Sequence, residues 1–72
     1  MQPFTIRSYG RTELALLYSP QISPDAAWRK LHRWIDRYPG LTDRLRALGY
    51  DGHTRSFTSQ QVRAIVDALG EP

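Results

Sequence analysis

Arg29, Lys30, Arg33 and Arg37 recur at three- and four-residue spacings, so on a helix they share one face. At about 100° per residue they fill an arc of about 100° that contains no acid, and Asp25 and Asp36 fall at its margin. A guanidinium or ammonium is a donor that never accepts, and the planar fork of arginine matches phosphate oxygens and guanine edges. Four cations pointing the same way therefore form the surface that a DNA major groove or a phosphate backbone would receive. The same face can also be the ordinary solvated side of an amphipathic helix, with Arg29–Asp25 and Arg33–Asp36 as surface pairs.

Other chemistries find less support. The chain has no cysteine, which removes disulfides, thiolate metal sites and thiol nucleophiles together. His32 and His53 fall in different elements, and neither is read as part of a set of ligands at metal-site spacing. No nucleophile stands beside a base with an orienting acid, and Gly49 and Gly52 lack the strand–GxxxxGK–helix setting of a phosphate loop. Neither enzymatic activity nor a cofactor nor a metal is expected. His53 and Arg55 follow the turn signal Asp51-Gly52. They either reach a minor groove and its flanking phosphates or are incidental charges on a solvated hairpin. Trp28 and Trp34 could stack bases, but their places beside Leu31 and Ile35 assign them to the core. Tyr9, Tyr18 and Tyr50 read as boundary residues.

These side chains must be positioned by a small body. Seventy-two residues make one domain, 1–72, with 40% hydrophobic and 24% charged residues, a globular balance. Ten Lys+Arg, nine of them arginine, against seven Asp+Glu give a formal charge of +3 and a pI of about 9.8, an excess that fits a polyanionic partner. No apolar run approaches the ~20 residues of a membrane span, and Met1–Arg11 has no basic stretch followed by an apolar one. With no cysteine, the expectation is a cytoplasmic protein with no membrane contact.

Phe4–Ser8 alternates apolar and polar residues and predicts a strand. Thr12–Tyr18, with Leu14 and Leu17 on one face, predicts a helix stopped by Pro20. Ser23-Pro24-Asp25 is a helix start, and the second helix runs to about Tyr38, where Pro39-Gly40 ends it. Its Ala27, Trp28, Leu31, Trp34, Ile35 and Tyr38 span about 120°, the width of a core-facing stripe. Leu41, Leu45 and Leu48 share a face of a third helix closed by Gly49. Asp51-Gly52 followed by His53–Phe57 predicts a hairpin strand, a candidate wing, and Thr58 through Gln61 is a capping box for a fourth helix with Val62, Ile65, Val66 and Leu69 inward.

The segments Tyr9–Tyr18, Ala27–Leu31 and Phe57–Pro72 resemble a short uncharacterised family of Bacteroides-type bacteria, a likeness that covers nearly the whole chain and implies a bacterial origin. Glu13-Leu14-Ala15 before a turn, Arg33-Trp34-Ile35 late in the next helix, and Arg55–Thr58 leading into Val62 are similar to the excisionase and MerR-like winged-helix group. There they are the first helix of the motif, the recognition helix, and the strand entering a closing helix. Ser19-Pro20-Gln21-Ile22 in place of a glycine-centred turn, and the inserted helix Leu41–Leu48, depart from that pattern. The expected fold is mainly α: a small winged helix-turn-helix of about four helices with a short two-stranded β-sheet or hairpin. The expected partner is double-stranded DNA, contacted by Ser23, Ala26, Arg29, Lys30, Arg33, Arg37, His53 and Arg55, with a homodimer or partner protein extending the site. The alternative is a protein-interaction module of the same fold, using the basic face or the Leu16/Tyr18 edge.

Overall fold

The computed structural model describes residues 4–72, which form four helices and one two-stranded sheet in the order β1 (Tyr9–Gly10), α1 (Arg11–Tyr18), α2 (Pro24–Arg37), α3 (Leu41–Ala47), β2 (Ser56–Phe57) and α4 (Ser59–Leu69). The mainly helical reading with its short sheet therefore holds, and so do the helix limits, because local chemistry sets them. At α2 the Ser23 hydroxyl accepts the Ala26 N–H at 3.3 Å with Pro24 at the first helical position, and Pro39 follows the extended cap residue Tyr38. Gly40, at φ +79°, turns the chain into α3 in a conformation that other residues rarely adopt. At α4 the Thr58 hydroxyl accepts the Gln61 N–H at 3.3 Å, while the Gln61 side chain accepts the Thr58 N–H at 3.0 Å and donates to the Leu48 carbonyl at 2.9 Å. One buried amide thus starts α4 and ties it to the end of α3.

The strands differ from expectation. The period-two stretch Phe4–Ser8 is not in the sheet; Tyr9 and Gly10 are, opposite Phe57 and Ser56 in antiparallel register. Only Ser56 and Phe57 of the expected His53–Phe57 strand are extended and paired, and their partner is the N-terminal strand. No hairpin follows Asp51-Gly52. There the Asp51 carboxylate closes a turn by accepting the His53 N–H at 2.8 Å, the Thr54 N–H at 3.0 Å and the Thr54 hydroxyl at 2.9 Å. These bonds, the one from His53 foremost, hold its pKa below the ordinary carboxylate value. His53 and Arg55 accordingly stand in a loop rather than on a wing hairpin.

The core is built from Leu14, Leu31, Ile35, Leu45, Phe57, Val62 and Ile65, all fully buried. Phe57 stacks on Tyr50 at 5.5 Å and meets Trp28 at 6.0 Å. Two side chains assigned inward lie at the surface: Leu17 is 43% exposed, with Ala15 buried beside Leu14 in its place, and Tyr38 is 43% exposed where α2 gives way to Pro39. No helix among the described residues is long and apolar enough to cross a membrane.

Tyr18 closes the fold at α1 by donating its hydroxyl to the Gly70 carbonyl. Burial, aided by the negative charge of Glu71, pushes its pKa up to about 12 from 10.0. Because the folded pKa lies above the unfolded one, the native state holds the extra proton between these values. The stabilisation is complete below pH ~10 and is lost as pH rises through ~12. A spectrophotometric phenol titration is expected to show Tyr18 ionising late, along with Tyr50, whose pKa burial also raises, and Tyr18→Phe to lower the late amplitude by one phenol. Ionisation of every tyrosine near 10 would contradict the burial.

Candidate nucleic-acid interface

Ala27, Leu31 and Ile35 bury the centre of the α2 stripe, which turns the opposite side of the helix outward. Arg29, Lys30, Arg33 and Arg37 are all exposed there. Among the described residues the ion pairs are Arg7–Glu13, His32–Asp36 and Arg44–Asp67, so none of the four is neutralised by a salt bridge. The surface-pair alternative does not describe these cations: Asp36 turns to His32 at 3.5 Å rather than to Arg33, and Asp25 pairs with no cation among the described residues.

The two indoles mark the edges of the stripe, each half-buried rather than enclosed. Both already carry a cation of the protein. Lys30 Nζ lies 5.1 Å from the Trp34 ring centre, and Tyr18 meets the same ring edge-on at 6.1 Å. The Arg11 guanidinium lies 5.1 Å from the Trp28 ring centre, with His32 and Phe57 tilted against that ring at 5.4 Å and 6.0 Å. These contacts make the indoles braces for the ridge and leave them poorly placed to receive bases.

A shallow hollow runs along each side of the ridge. One, of about 460 Å³, is lined by Ile22, Ala26, Lys30 and Trp34 with Arg29, Arg33 and Arg37. The other, of about 620 Å³, holds the same three arginines with Trp28, His32, Asp36 and Gly52. Ser23 is exposed at the start of the helix with an acceptor lone pair spent on capping, and Ala26 is half-buried with its N–H bonded to Ser23. The structure thus brings Ala26, Arg29, Lys30, Arg33 and Arg37 onto one surface and sets the Gly52 turn beside it. His53 and Arg55 are exposed in the loop that continues from that turn, neither of them lining either hollow.

Arg11 is the cation that the sequence did not disclose. Its N–H donates to the Arg55 carbonyl at 2.9 Å, so the start of α1, the loop before β2 and Trp28 of α2 meet at one point. No local pattern marks it, since its neighbours come from three separate stretches of chain. Among the described residues no group of three or more His, Cys, Asp or Glu gathers as a metal site would require.

The family model described as "Domain of unknown function (DUF4248)" matches residues 5–72. Neither the curated proteins nor the solved structures provide a match.

Proposed function

We propose that this chain, which belongs to the family described as Domain of unknown function (DUF4248), is a small winged helix-turn-helix protein that binds double-stranded DNA through α2. The observation that carries the reading is a ridge of four cations without a carboxylate partner, on a helix whose other side is locked into the core. The order α1, five-residue turn, α2 supports it, while the place of the wing is taken by the His53–Arg55 loop, whose following strand pairs with β1. Duplex is favoured over single strand because the indoles that would stack unpaired bases are engaged by Lys30 and Arg11. Arg29 and Arg33 make phosphate or guanine contacts, Lys30 and Arg37 bind phosphate, and Ser23, Ala26, His53 and Arg55 contribute at the ends of the surface. One such unit covers only a few base pairs, so a homodimer or a partner protein completes the site. The protein acts without catalysis, and the lack of cysteine suits a bacterial cytoplasm.

Phosphate neutralisation fixes the test. Binding to random-sequence duplex, followed by fluorescence anisotropy, is expected to weaken with a log–log salt slope of about −0.9 per phosphate contact, or −3 to −4 if the whole ridge is engaged. No detectable binding at about 50 mM salt would defeat the reading. The protein-interaction alternative draws on the exposed Leu17 next to the half-buried Leu16 and Tyr18, and it would then take precedence.

A further inference from the structure

The two sides of the ridge share Arg29, Arg33 and Arg37 and differ in two charged residues, Lys30 on one and Asp36 on the other. The Ile22–Lys30–Trp34 side has no acid, whereas the side next to Trp28 and Gly52 contains Asp36 at the margin of the arginines. Asp36 is held loosely: Oδ2 lies 3.5 Å from His32 Nδ1 and Oδ1 accepts from the Thr42 hydroxyl at 3.5 Å, with over half of the side chain exposed. Both contacts are at the outer limit of hydrogen bonding, so the carboxylate retains acceptor capacity toward solvent or a ligand.

A carboxylate in such a place discriminates between the two parts of a duplex. Phosphates only accept, so beside them Asp36 finds no donor and is repelled. Base edges in the major groove present both kinds of group: acceptors on guanine and thymine, and amino donors at cytosine N4 and adenine N6. Arginine forks next to one carboxylate match that mixture and mismatch a phosphate row. Building on the DNA-binding reading above, we infer that α2 docks with a fixed sidedness. The Ile22–Lys30–Trp34 side follows a phosphate backbone, and the Asp36 side faces base edges, where Asp36 selects an exocyclic amino group, cytosine N4 foremost, at one base pair. Asp36 is thus a specificity residue that weakens non-specific binding.

Wild type, Asp36→Asn and Asp36→Ala are compared by anisotropy with a random-sequence duplex and by selection from a library of randomised duplexes, with thermal melts confirming that each is folded. Both variants are expected to bind the random duplex roughly three- to tenfold more tightly at low salt, because a like charge has gone. The wild-type selected pool is expected to be enriched about tenfold for an amino-bearing base at one position. Asp36→Ala loses that enrichment, and Asp36→Asn moves it toward adenine, whose N6 and N7 an amide can bond together. Duplex binding by wild type with both variants unchanged in affinity and in selected sequence would overturn the sidedness and leave the DNA reading standing. No duplex binding by any of the three would overturn both.

Discussion

Reversing Arg29 and Arg33 together, as Arg29→Glu with Arg33→Glu, is expected to lower affinity for duplex DNA by at least ~100-fold at moderate salt. Each charge-assisted bond to a phosphate or guanine contributes about 1.5–3 kcal/mol, and the new carboxylates add repulsion to the loss of both. Stability is expected to stay within about 0.5 kcal/mol, because both side chains are exposed and neither is ion-paired in the native fold. The glutamate at 33 stands four residues before Arg37, a favourable order on a helix that partly offsets the like-charge spacing of the new carboxylates with each other and with Asp25, each worth only a few tenths of a kcal/mol. Anisotropy titration paired with a thermal melt separates the outcomes. Binding that survives the reversal would place the interface elsewhere, and a melt lowered by many degrees would show that these arginines pack rather than project.

Phe57→Ala is the substitution with the largest expected effect on folding. Phe57 is 1% exposed, pairs with Tyr9 across the sheet, stacks on Tyr50 and supports Trp28, so its removal opens a cavity that three elements border. Such truncations cost about 3–5 kcal/mol. A domain of this size has a stability of only about 4–11 kcal/mol at ordinary values per residue, so the variant falls near the edge of unfolding. Urea denaturation followed by circular dichroism measures this directly. A loss below ~1 kcal/mol would mean that the sheet and its aromatic cluster lie outside the cooperative core. Because Trp28 rests on Phe57, the basic ridge is expected to lose definition along with the fold.

How much of this was legible depended on how local the cause was. The limits of α2 follow from Ser23, Pro24 and Pro39, residues that act on their immediate neighbours, and the free ridge follows from helix geometry once those limits are set. Strand placement was not legible. The alternation in Phe4–Ser8 is a real pattern, yet the residues that pair are the two after it, chosen by where Ser56 and Phe57 lie in space. The Asp51-Gly52 signal marked a true turn, but the carboxylate of Asp51 captures the following N–H groups and stops the chain from folding back on itself. Leu17 and Tyr38 fit apolar faces by periodicity and are exposed because nothing packs over those ends of their helices. Of the residues bordering the ridge, Asp36 was visible as a marginal acid, while Arg11 required the tertiary fold.

The seam between β1 and β2 bears on what closing the chain costs. It joins Ser8 to Phe57 across 49 positions of sequence, whereas α1 and α2 dock as consecutive neighbours. Closing a loop that long carries an entropic penalty of about 3 kcal/mol, which the burial of Phe57, Tyr9 and Tyr50 at the seam must offset. Arg11 directly follows one side of the seam and Arg55 directly precedes the other. Opening there would break the Arg11 N–H bond to the Arg55 carbonyl and lift the Arg11 guanidinium from the Trp28 ring at the edge of the ridge.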